Sequence, residues 1–168
     1  MEAAVTQRVV SRERVVAAPP SVVFDILTDP RMHPVIDGSG MLQGRISGPQ
    51  RLERGSRFGM RMRILRTVPY LISNIVVEYE QDRLIAWRHL FRHRWRYELE
   101  PDGDGRTLVR ESFDYGPSVY PWLLERLDVP TAHERNIERT LDNLARIAAE
   151  RAAEVEGDVT ADAPPDPT

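Results

Sequence analysis

The sequence predicts an α+β fold in which a curved antiparallel sheet of about six to seven strands wraps around one long C-terminal helix. Between residues 57 and 115, apolar and polar side chains alternate with a period of two. This alternation is typical of strands with one buried and one solvated face. From residue 133 to 154 the apolar residues follow a helical period. Because an apolar sheet face has to be covered, we expect this helix to cover it.

The N-terminal elements are a strand and two short helices. The strand is expected over residues 7–17 and ends at the AAPP segment. Ser21 is the expected N-cap of a helix with the sequence VVFDILTD, which Pro30 terminates. The apolar side of this helix carries Val22, Val23, Ile26 and Leu27. RMHPVID is expected to form a second helical turn interrupted by Pro34, and the Gly-Ser-Gly of residues 38–40 is expected to turn into the next strand.

Five further strands are expected, joined by tight turns. Their sequences are RFGMRMRI, LISNIVVEYE, RLIAWRHL, HRWRYELE and TLVRESFDY. A turn at Gln81 and Asp82 joins the second to the third, and the PDGDG segment at residues 101–105 is typical of a hairpin. The side chains expected to face inward from the first, fourth and fifth of these strands are Phe58, Met60, Met62, Ile64, Trp95, Tyr97, Leu99, Val109, Glu111, Phe113 and Tyr115.

A helical period returns at about Tyr120, and Pro130 is expected to break this segment before the long helix begins. The apolar stripe of the long helix is Ile137, Leu141, Leu144 and Ala148. The last residues, GDVTADAPPDPT, are acidic and Pro-rich and carry no apolar pattern. We therefore expect one domain over residues 1–154 and a disordered tail over residues 155–168.

The composition excludes several classes of function. The chain has 168 residues, a net charge of −3, no cysteine and no lysine. Disulfides, thiol nucleophiles, cysteine-bound zinc, Schiff-base chemistry and a P-loop lysine are thereby excluded. No apolar run approaches the roughly 18 residues of a membrane span, and the N-terminus lacks the pattern of a signal peptide. We expect a cytoplasmic protein without a cofactor.

This order of elements resembles the START-like, or SRPBCC, superfamily of helix-grip proteins, which includes polyketide cyclase/dehydrase-like members. The resemblance covers residues 7–150 and is carried by VVAAPPSVVFDILTDP, VVEYEQDRLIAWR, RWRYELEPDGDGRTLVRESFDY and NIERTLDNLARIA. It implies a cavity between sheet and helix that binds a lipid, a polyketide or an aromatic compound. The superfamily has no universal catalytic motif that could be carried over.

The stretch DPRMHPVIDGSG at residues 29–40 contains the side-chain types of a hydrolytic triad in His33, Asp37 and Ser39. A nucleophilic serine would be expected in a G-x-S-x-G turn, and a phosphate loop would need a lysine, and neither is present. We interpret the stretch as the rim of the cavity. Either Asp37 and Ser39 cap a turn, or His33, Ile36 and Asp37 contact the ligand.

His89 and His93 have the spacing of two zinc ligands on a helix, but they lie between two expected strands. We expect solvated histidines there and no metal. Six arginines are expected on the outer face of the sheet, interleaved with Glu78, Glu80 and Glu98, which favours cross-strand ion pairs over nucleic-acid binding. These arginines are Arg61, Arg63, Arg88, Arg94, Arg96 and Arg110.

Glu111 interrupts an apolar inward stripe between Val109 and Phe113. A buried carboxylate has to be paired, neutral or hydrated. It is either a structural partner of an arginine or a tryptophan indole, or a functional acid with His33 as a second catalytic candidate. The expected ligand contacts are Phe24, His33, Ile36, Asp37, Phe58, Met60, Met62, Trp95, Tyr97, Glu111, Phe113, Asn136, Thr140 and Leu144.

Three functions follow from these observations. We favour binding of a small hydrophobic molecule by a monomer or weak homodimer. The first alternative is a cyclase or dehydratase acting on an aromatic or polyketide substrate, which requires at least two converging titratable groups. The second is a protein-interaction module, which would require a large exposed apolar patch, whereas the expected surface is polar.

Overall fold

The computed structural model describes residues 8–64 and 67–161. The elements are β1 (Val9–Val16), α1 (Pro20–Thr28), α2 (His33–Ile36), β2 (Leu42–Ser47), β3 (Arg57–Ile64), β4 (Val68–Glu80), β5 (Leu84–Arg88), β6 (Arg94–Pro101), β7 (Thr107–Asp114), α3 (Pro121–Arg126) and α4 (Val129–Ala161). A strand, two short helices, consecutive antiparallel strands and a long final helix confirm the predicted α+β helix-grip architecture.

Within the described residues the strands form one antiparallel sheet in the order β1-β7-β6-β5-β4-β3-β2. The first strand pairs with the last, so α1 and α2 carry the chain from one edge of the sheet to the other. Register shifts in β2, and in β4 between Val76 and Glu78, interrupt the pairing. Such bulges bend the strands and increase their twist. The sheet thereby acquires a concave face.

The long helix α4 and the helix α1 bury their apolar sides against this sheet. The predicted stripe of α4 is confirmed, since Ile137, Leu141, Leu144 and Ala148 are all buried. In α1, Val23, Phe24, Ile26 and Leu27 are fully buried. Ion pairs from Arg12 to Glu138 and from Arg14 to Asp142 hold α4 beside the edge strand β1.

The outer face of the sheet carries the expected cross-strand ion pairs. Glu78 on β4 accepts hydrogen bonds from Arg94 at 3.5 Å and from Arg96 at 3.1 Å. Arg110 on β7 lies 3.9 Å from Glu98 on β6. These exposed and half-exposed pairs contribute little stability individually, and they balance the charges of Arg94, Arg96 and Arg110.

Three prolines begin helices where the sequence predicted interruptions or a different cap. The prediction that Ser21 caps α1 is wrong. Pro19 is the N-cap, Pro20 occupies the first turn, and no side chain caps the helix. Pro34 lies in the first turn of α2 and Pro130 in the first turn of α4. Proline suits these positions because its fixed φ is helical and the missing N–H has no intrahelical partner there.

The long helix extends further than its apolar stripe. It continues to Ala161, seven residues into the segment expected to be a tail. The rest of that segment, residues 162–168, lies outside the described residues. None of the described helices combines the length and the apolar character that crossing a bilayer requires.

Candidate functional site

A cavity of about 840 Å³ lies between the concave face of the sheet and α4. Its walls come from α2, α3, the strands β2 to β7 and the first half of α4. Protein interiors are normally packed with few voids larger than a water molecule. A volume of this size corresponds instead to the pockets that hold small organic molecules.

Most of the expected ligand contacts lie on the wall of this cavity. Those on the wall are His33, Ile36, Asp37, Phe58, Met60, Met62, Trp95, Tyr97, Glu111, Asn136 and Thr140. The other three, Phe24, Phe113 and Leu144, are fully buried in the core and do not line the cavity. Phe24 packs edge-on against Tyr79 at 5.4 Å, and Leu144 lies one helical turn beyond Thr140.

The Asp37 carboxylate caps the turn at the rim. It accepts hydrogen bonds from the hydroxyl of Ser39 at 2.7 Å and from the backbone N–H groups of Ser39 and Leu42, both at 3.0 Å. His33 is turned elsewhere, since its Nε2 lies 2.8 Å from the carbonyl oxygen of Leu27. Because a carbonyl can only accept, Nε2 carries the proton. The three residues therefore do not form a hydrolytic triad.

Close packing fixes this rim against α4. The N–H of Gly38 donates to the Thr140 hydroxyl at 2.9 Å, and Asn143 donates to the Ile36 carbonyl at 3.2 Å. A Cβ at position 38 would lie 2.3 Å from the carbonyl oxygen of Asn136, so only glycine fits this approach. The rim is thereby placed over the cavity and not free in solvent.

Glu111 is buried inside the cavity with a tyrosine partner. The Tyr97 hydroxyl donates to Oε1 of Glu111 at 2.8 Å. The expected arginine or tryptophan partner is therefore wrong, because β6 and β7 pair Tyr97 directly with Glu111. Oε2 has no partner among the described residues. Burial raises the pKa of Glu111 well above its ordinary value, against the opposing effect of the Tyr97 hydrogen bond and with a smaller addition from the Asp37 charge.

All four histidines of the chain line the cavity. The expectation of solvated histidines at positions 89 and 93 is wrong, because their ring centroids are 4.0 Å apart and both are partly buried. Burial lowers the pKa of His93 to about 3 and that of His133 to about 4. Both are neutral at pH 7, and within the described chain their Nδ1 atoms lack hydrogen-bond partners.

These histidines are not arranged around a metal. In residues 8–64 and 67–161, no group of three or more histidine, aspartate or glutamate side chains has an arrangement that could hold a metal ion. Aromatic packing accounts for their positions instead. His133 packs on Trp95 at 4.9 Å and on Phe113 at 4.3 Å, and His33 stacks on Trp87 at 4.7 Å.

Several wall residues were missed by the sequence analysis although patterns pointed to them. Trp87 lies two residues from the buried Ile85 on β5, and therefore on the same face. His133 precedes Ile137 and Thr140 by four and seven residues, which places it on the inward side of α4. Asn74 is buried in β4 without an apolar alternation to indicate which way it faces.

The mouth of the cavity is apolar, which contradicts the expected polar surface. Leu90 is 84% exposed and Phe91 is 56% exposed, and both line the cavity. The segment before α3 lies beside them, because the Val119 N–H donates to the Phe91 carbonyl at 3.3 Å. None of the six residues of α3 is buried, and Trp122 is 57% exposed. The mouth of the cavity is therefore flanked by exposed apolar side chains.

Comparison with known proteins finds relatives in Mycobacterium tuberculosis. The chain is 42% identical over 106 residues to Rv0088, an uncharacterized protein of Mycobacterium tuberculosis, and these cover 63% of this chain and 47% of that protein. The chain therefore spans about half the length of this curated relative. A second strain of the same organism has a relative that is 41% identical over 106 residues.

Solved structures share the fold at low identity. Protein NE0264 of Nitrosomonas europaea superposes with a TM-score of 0.66 at 16% identity, over 88% of this chain and 98% of that one. An AHSA1-like protein of Aeromonas hydrophila gives a TM-score of 0.56 at 18% identity, over 86% and 94%. The di-domain ARO/CYC StfQ of the steffimycin biosynthetic pathway gives 0.58 at 16% identity, over 88% and 53%.

One protein family matches most of the chain. The family described as "Polyketide cyclase / dehydrase and lipid transport" matches residues 7–149, which is nearly the entire described chain. The matched residues run from the start of β1 through most of α4. The chain belongs to the polyketide cyclase/dehydrase and lipid transport family.

Proposed function

We propose that the protein binds a small, largely apolar molecule in the cavity between the sheet and α4. The observation that carries the proposal is the cavity itself, because about 840 Å³ of space remains among side chains that could otherwise have packed together. Phe58, Met60, Trp87 and Ile137 supply apolar walls. Such walls bind apolar groups through the area they remove from water.

The polar atoms on the wall supply orientation more than affinity. Glu111, His93 and His133 line the cavity, and Oε2 of Glu111 and the Nδ1 atoms of the two histidines are buried without hydrogen-bond partners in the described chain. A buried polar group without a partner costs about 1–3 kcal/mol. A ligand with a few polar atoms would remove this cost, whereas a pure hydrocarbon would not. Family membership supports the same function, since the family description includes lipid transport.

Native mass spectrometry of the purified protein tests this proposal. We expect either a co-purified molecule at one per chain or, after incubation with uncharged N-phenyl-1-naphthylamine, a one-to-one complex. The adduct should be lost when the protein is denatured. A protein that carries no small molecule and also gains no adduct would contradict ligand binding.

A second candidate function is acid–base catalysis of the dehydratase type on the bound molecule. The observation that favours it is the convergence of Glu111, His93 and His133 in one cavity, where the sequence analysis had required two titratable groups. A neutral imidazole can remove an α-proton while the neutral carboxylic acid protonates the departing hydroxyl, and water is released.

Loss of water from an aromatic β-hydroxyketone, such as 4-hydroxy-4-phenylbutan-2-one, measures this activity by the absorbance of the enone. If the protein is such an enzyme, Glu111→Gln should reduce the rate by about 10²–10⁴-fold. A rate no faster than in buffer, together with confirmed binding of the substrate, would leave binding as the function and exclude this reaction class.

A further inference from the structure

Exposed apolar side chains surround the mouth of the cavity. We call them the mouth face, and its members are Leu71, Leu90, Phe91, Tyr120, Trp122 and Leu127. We propose that the mouth face docks on the surface of a lipid bilayer that contains anionic phospholipids. Docking on a bilayer is a function beyond ligand binding, and it can be measured whether or not a molecule occupies the cavity.

Three segments of the chain bring these side chains to the same opening. Leu71 on β4, and Leu90 and Phe91 in the loop between β5 and β6, all line the cavity. The Val119 N–H donates to the Phe91 carbonyl at 3.3 Å, which places the segment before α3 beside that loop. Leu124 of α3 also lines the cavity. The mouth face is therefore one region around the opening and not a scatter of single residues.

The fold leaves this region without a covering element. All six members of the mouth face are more than half exposed, and none of the residues of α3 is buried. Single exposed apolar residues are ordinary on a protein surface, but a group of them marks a contact with another protein or with a membrane. Tyr120 and Trp122 have the amphipathic rings that are enriched where a bilayer meets water.

Arginines without ion-pair partners lie among these apolar side chains. Arg88 and Arg92 flank Leu90 and Phe91 in the chain, and Arg126 precedes Leu127. Within residues 8–64 and 67–161, none of these three arginines takes part in a salt bridge. The arginines of the outer sheet face differ from them, because those that contact Glu78 and Glu98 are paired.

The acidic side chains of the same three segments do not cancel these charges. The segments are residues 68–71, 88–93 and 119–128, and their acidic residues are Glu125 and Asp128. Glu125 accepts a hydrogen bond from Arg8 at 2.9 Å, so its charge is already balanced. The mouth face is thus positive on a chain whose net charge is −3. Anionic phospholipid headgroups complement this charge.

Charge also separates a bilayer from a second copy of the chain as the occupant. In a two-fold symmetric dimer the same patch meets itself, so Arg88, Arg92 and Arg126 would approach their own copies. Like charges across an interface oppose association. An anionic bilayer presents opposite charge and an apolar layer in one surface. It would also exchange an apolar molecule with the cavity directly at the mouth.

Flotation of the full chain with lipid vesicles tests bilayer docking. We expect binding to mixed phosphatidylcholine and phosphatidylglycerol vesicles to be at least about tenfold tighter than to phosphatidylcholine alone, and to weaken in high salt. No binding to either vesicle, or equal binding to both, would overturn the proposal. A dimer in sedimentation equilibrium that dissociates in Trp122→Ser, without vesicle binding, would assign the mouth face to a second copy instead.

A pair of charge variants locates the electrostatic contact. Arg92→Gln combined with Arg126→Gln removes two charges that lie outside the cavity wall. Binding to the anionic vesicles should weaken by about 20- to 30-fold, the equivalent of about 1 kcal/mol for each arginine. Arg83→Gln combined with Arg106→Gln makes the same change in net charge at the opposite end of the sheet and should bind like the wild type. An equal loss in both double variants would overturn the proposal, because net charge alone would then explain binding.

A fluorescence measurement locates the apolar contact. Phospholipids with brominated acyl chains should quench the wild-type tryptophan emission, and Trp122→Phe, which keeps an aromatic ring and the fold, should lose most of this quenching. Trp122→Ser combined with Leu127→Ser should weaken vesicle binding by about tenfold or more. Val15→Ser combined with Val155→Ser removes exposed apolar side chains elsewhere and should not weaken it. Unchanged quenching in Trp122→Phe would overturn docking through the mouth face.

Discussion

His33 should make the stability of the fold sensitive to acid. Its ring is 4% exposed, donates from Nε2 to the Leu27 carbonyl and stacks on Trp87. Burial lowers the pKa of His33 to about 4, against an opposing effect of the Leu27 hydrogen bond and a smaller one from Asp29. The folded protein therefore keeps the His33 ring neutral at pH values at which the same ring is protonated in the unfolded chain.

The size of the effect follows from the two pKa values. The unfolded histidine titrates near 6.5 and the folded one near 4, and each pH unit between them changes the unfolding free energy by about 1.4 kcal/mol. The contribution of the neutral His33 ring to the free energy of unfolding is fully present above pH 6.5. It is lost as the pH falls towards 4, and the total loss is about 3 kcal/mol. At pH 5 the loss amounts to about 2 kcal/mol.

Urea unfolding of His33→Phe between pH 7 and pH 4.5 measures this contribution. Phenylalanine keeps an aromatic ring against Trp87 and removes the hydrogen bond to Leu27, which costs about 1 kcal/mol at pH 7. From pH 7 to pH 5 the variant should lose about 2 kcal/mol less unfolding free energy than the wild type. Trp87→Phe perturbs the same stack without removing a titratable group, so it should keep the wild-type pH dependence. Parallel curves for wild type and His33→Phe would refute the reasoning.

Three further predictions concern the cavity. Folding raises the pKa of Glu111, so the contribution of Glu111 to stability should fall as the pH rises above about 4.3, and melting curves from pH 4 to 8 should show a steeper rise of stability with pH for Glu111→Gln than for the wild type. Met62→Trp should fill free space and melt near the wild type, whereas Leu144→Trp in the packed core should lose about 1–3 kcal/mol in urea unfolding. Gly38→Ala should lower the melting temperature, because its Cβ would meet the Asn136 carbonyl.

The sequence predicted the inward faces of the strands because each strand has one face against the core. Phe58, Tyr97 and Glu111 therefore point where the alternation placed them. The Tyr97–Glu111 pair depends on register as well. The hairpin pairs Pro101 with Thr107, which fixes every pair along β6 and β7. The alternation of apolar and polar residues does not determine that register. The sequence therefore did not predict Tyr97 as the partner of Glu111.

Contacts that join distant segments could not be predicted in this way. His89 and His93 converge because Arg92 between them has a positive φ of 72°, a conformation that the sequence does not indicate for arginine. His133 joins them from another element, α4. The sequence did not predict the apolar mouth of the cavity for a related reason. The spacing of apolar residues can show which side of α3 is apolar, but it does not show whether another element covers that side.

Fluorescence titration with N-phenyl-1-naphthylamine tests ligand binding in the cavity most directly. Trp87 and Trp95 line the cavity and are expected to be quenched as the probe binds. The wild type should show saturable one-to-one quenching, and Met62→Trp, with its cavity filled, should bind the probe much more weakly while remaining folded. Absence of saturable quenching in the wild type, or equal affinity in the folded variant, would contradict binding at this site.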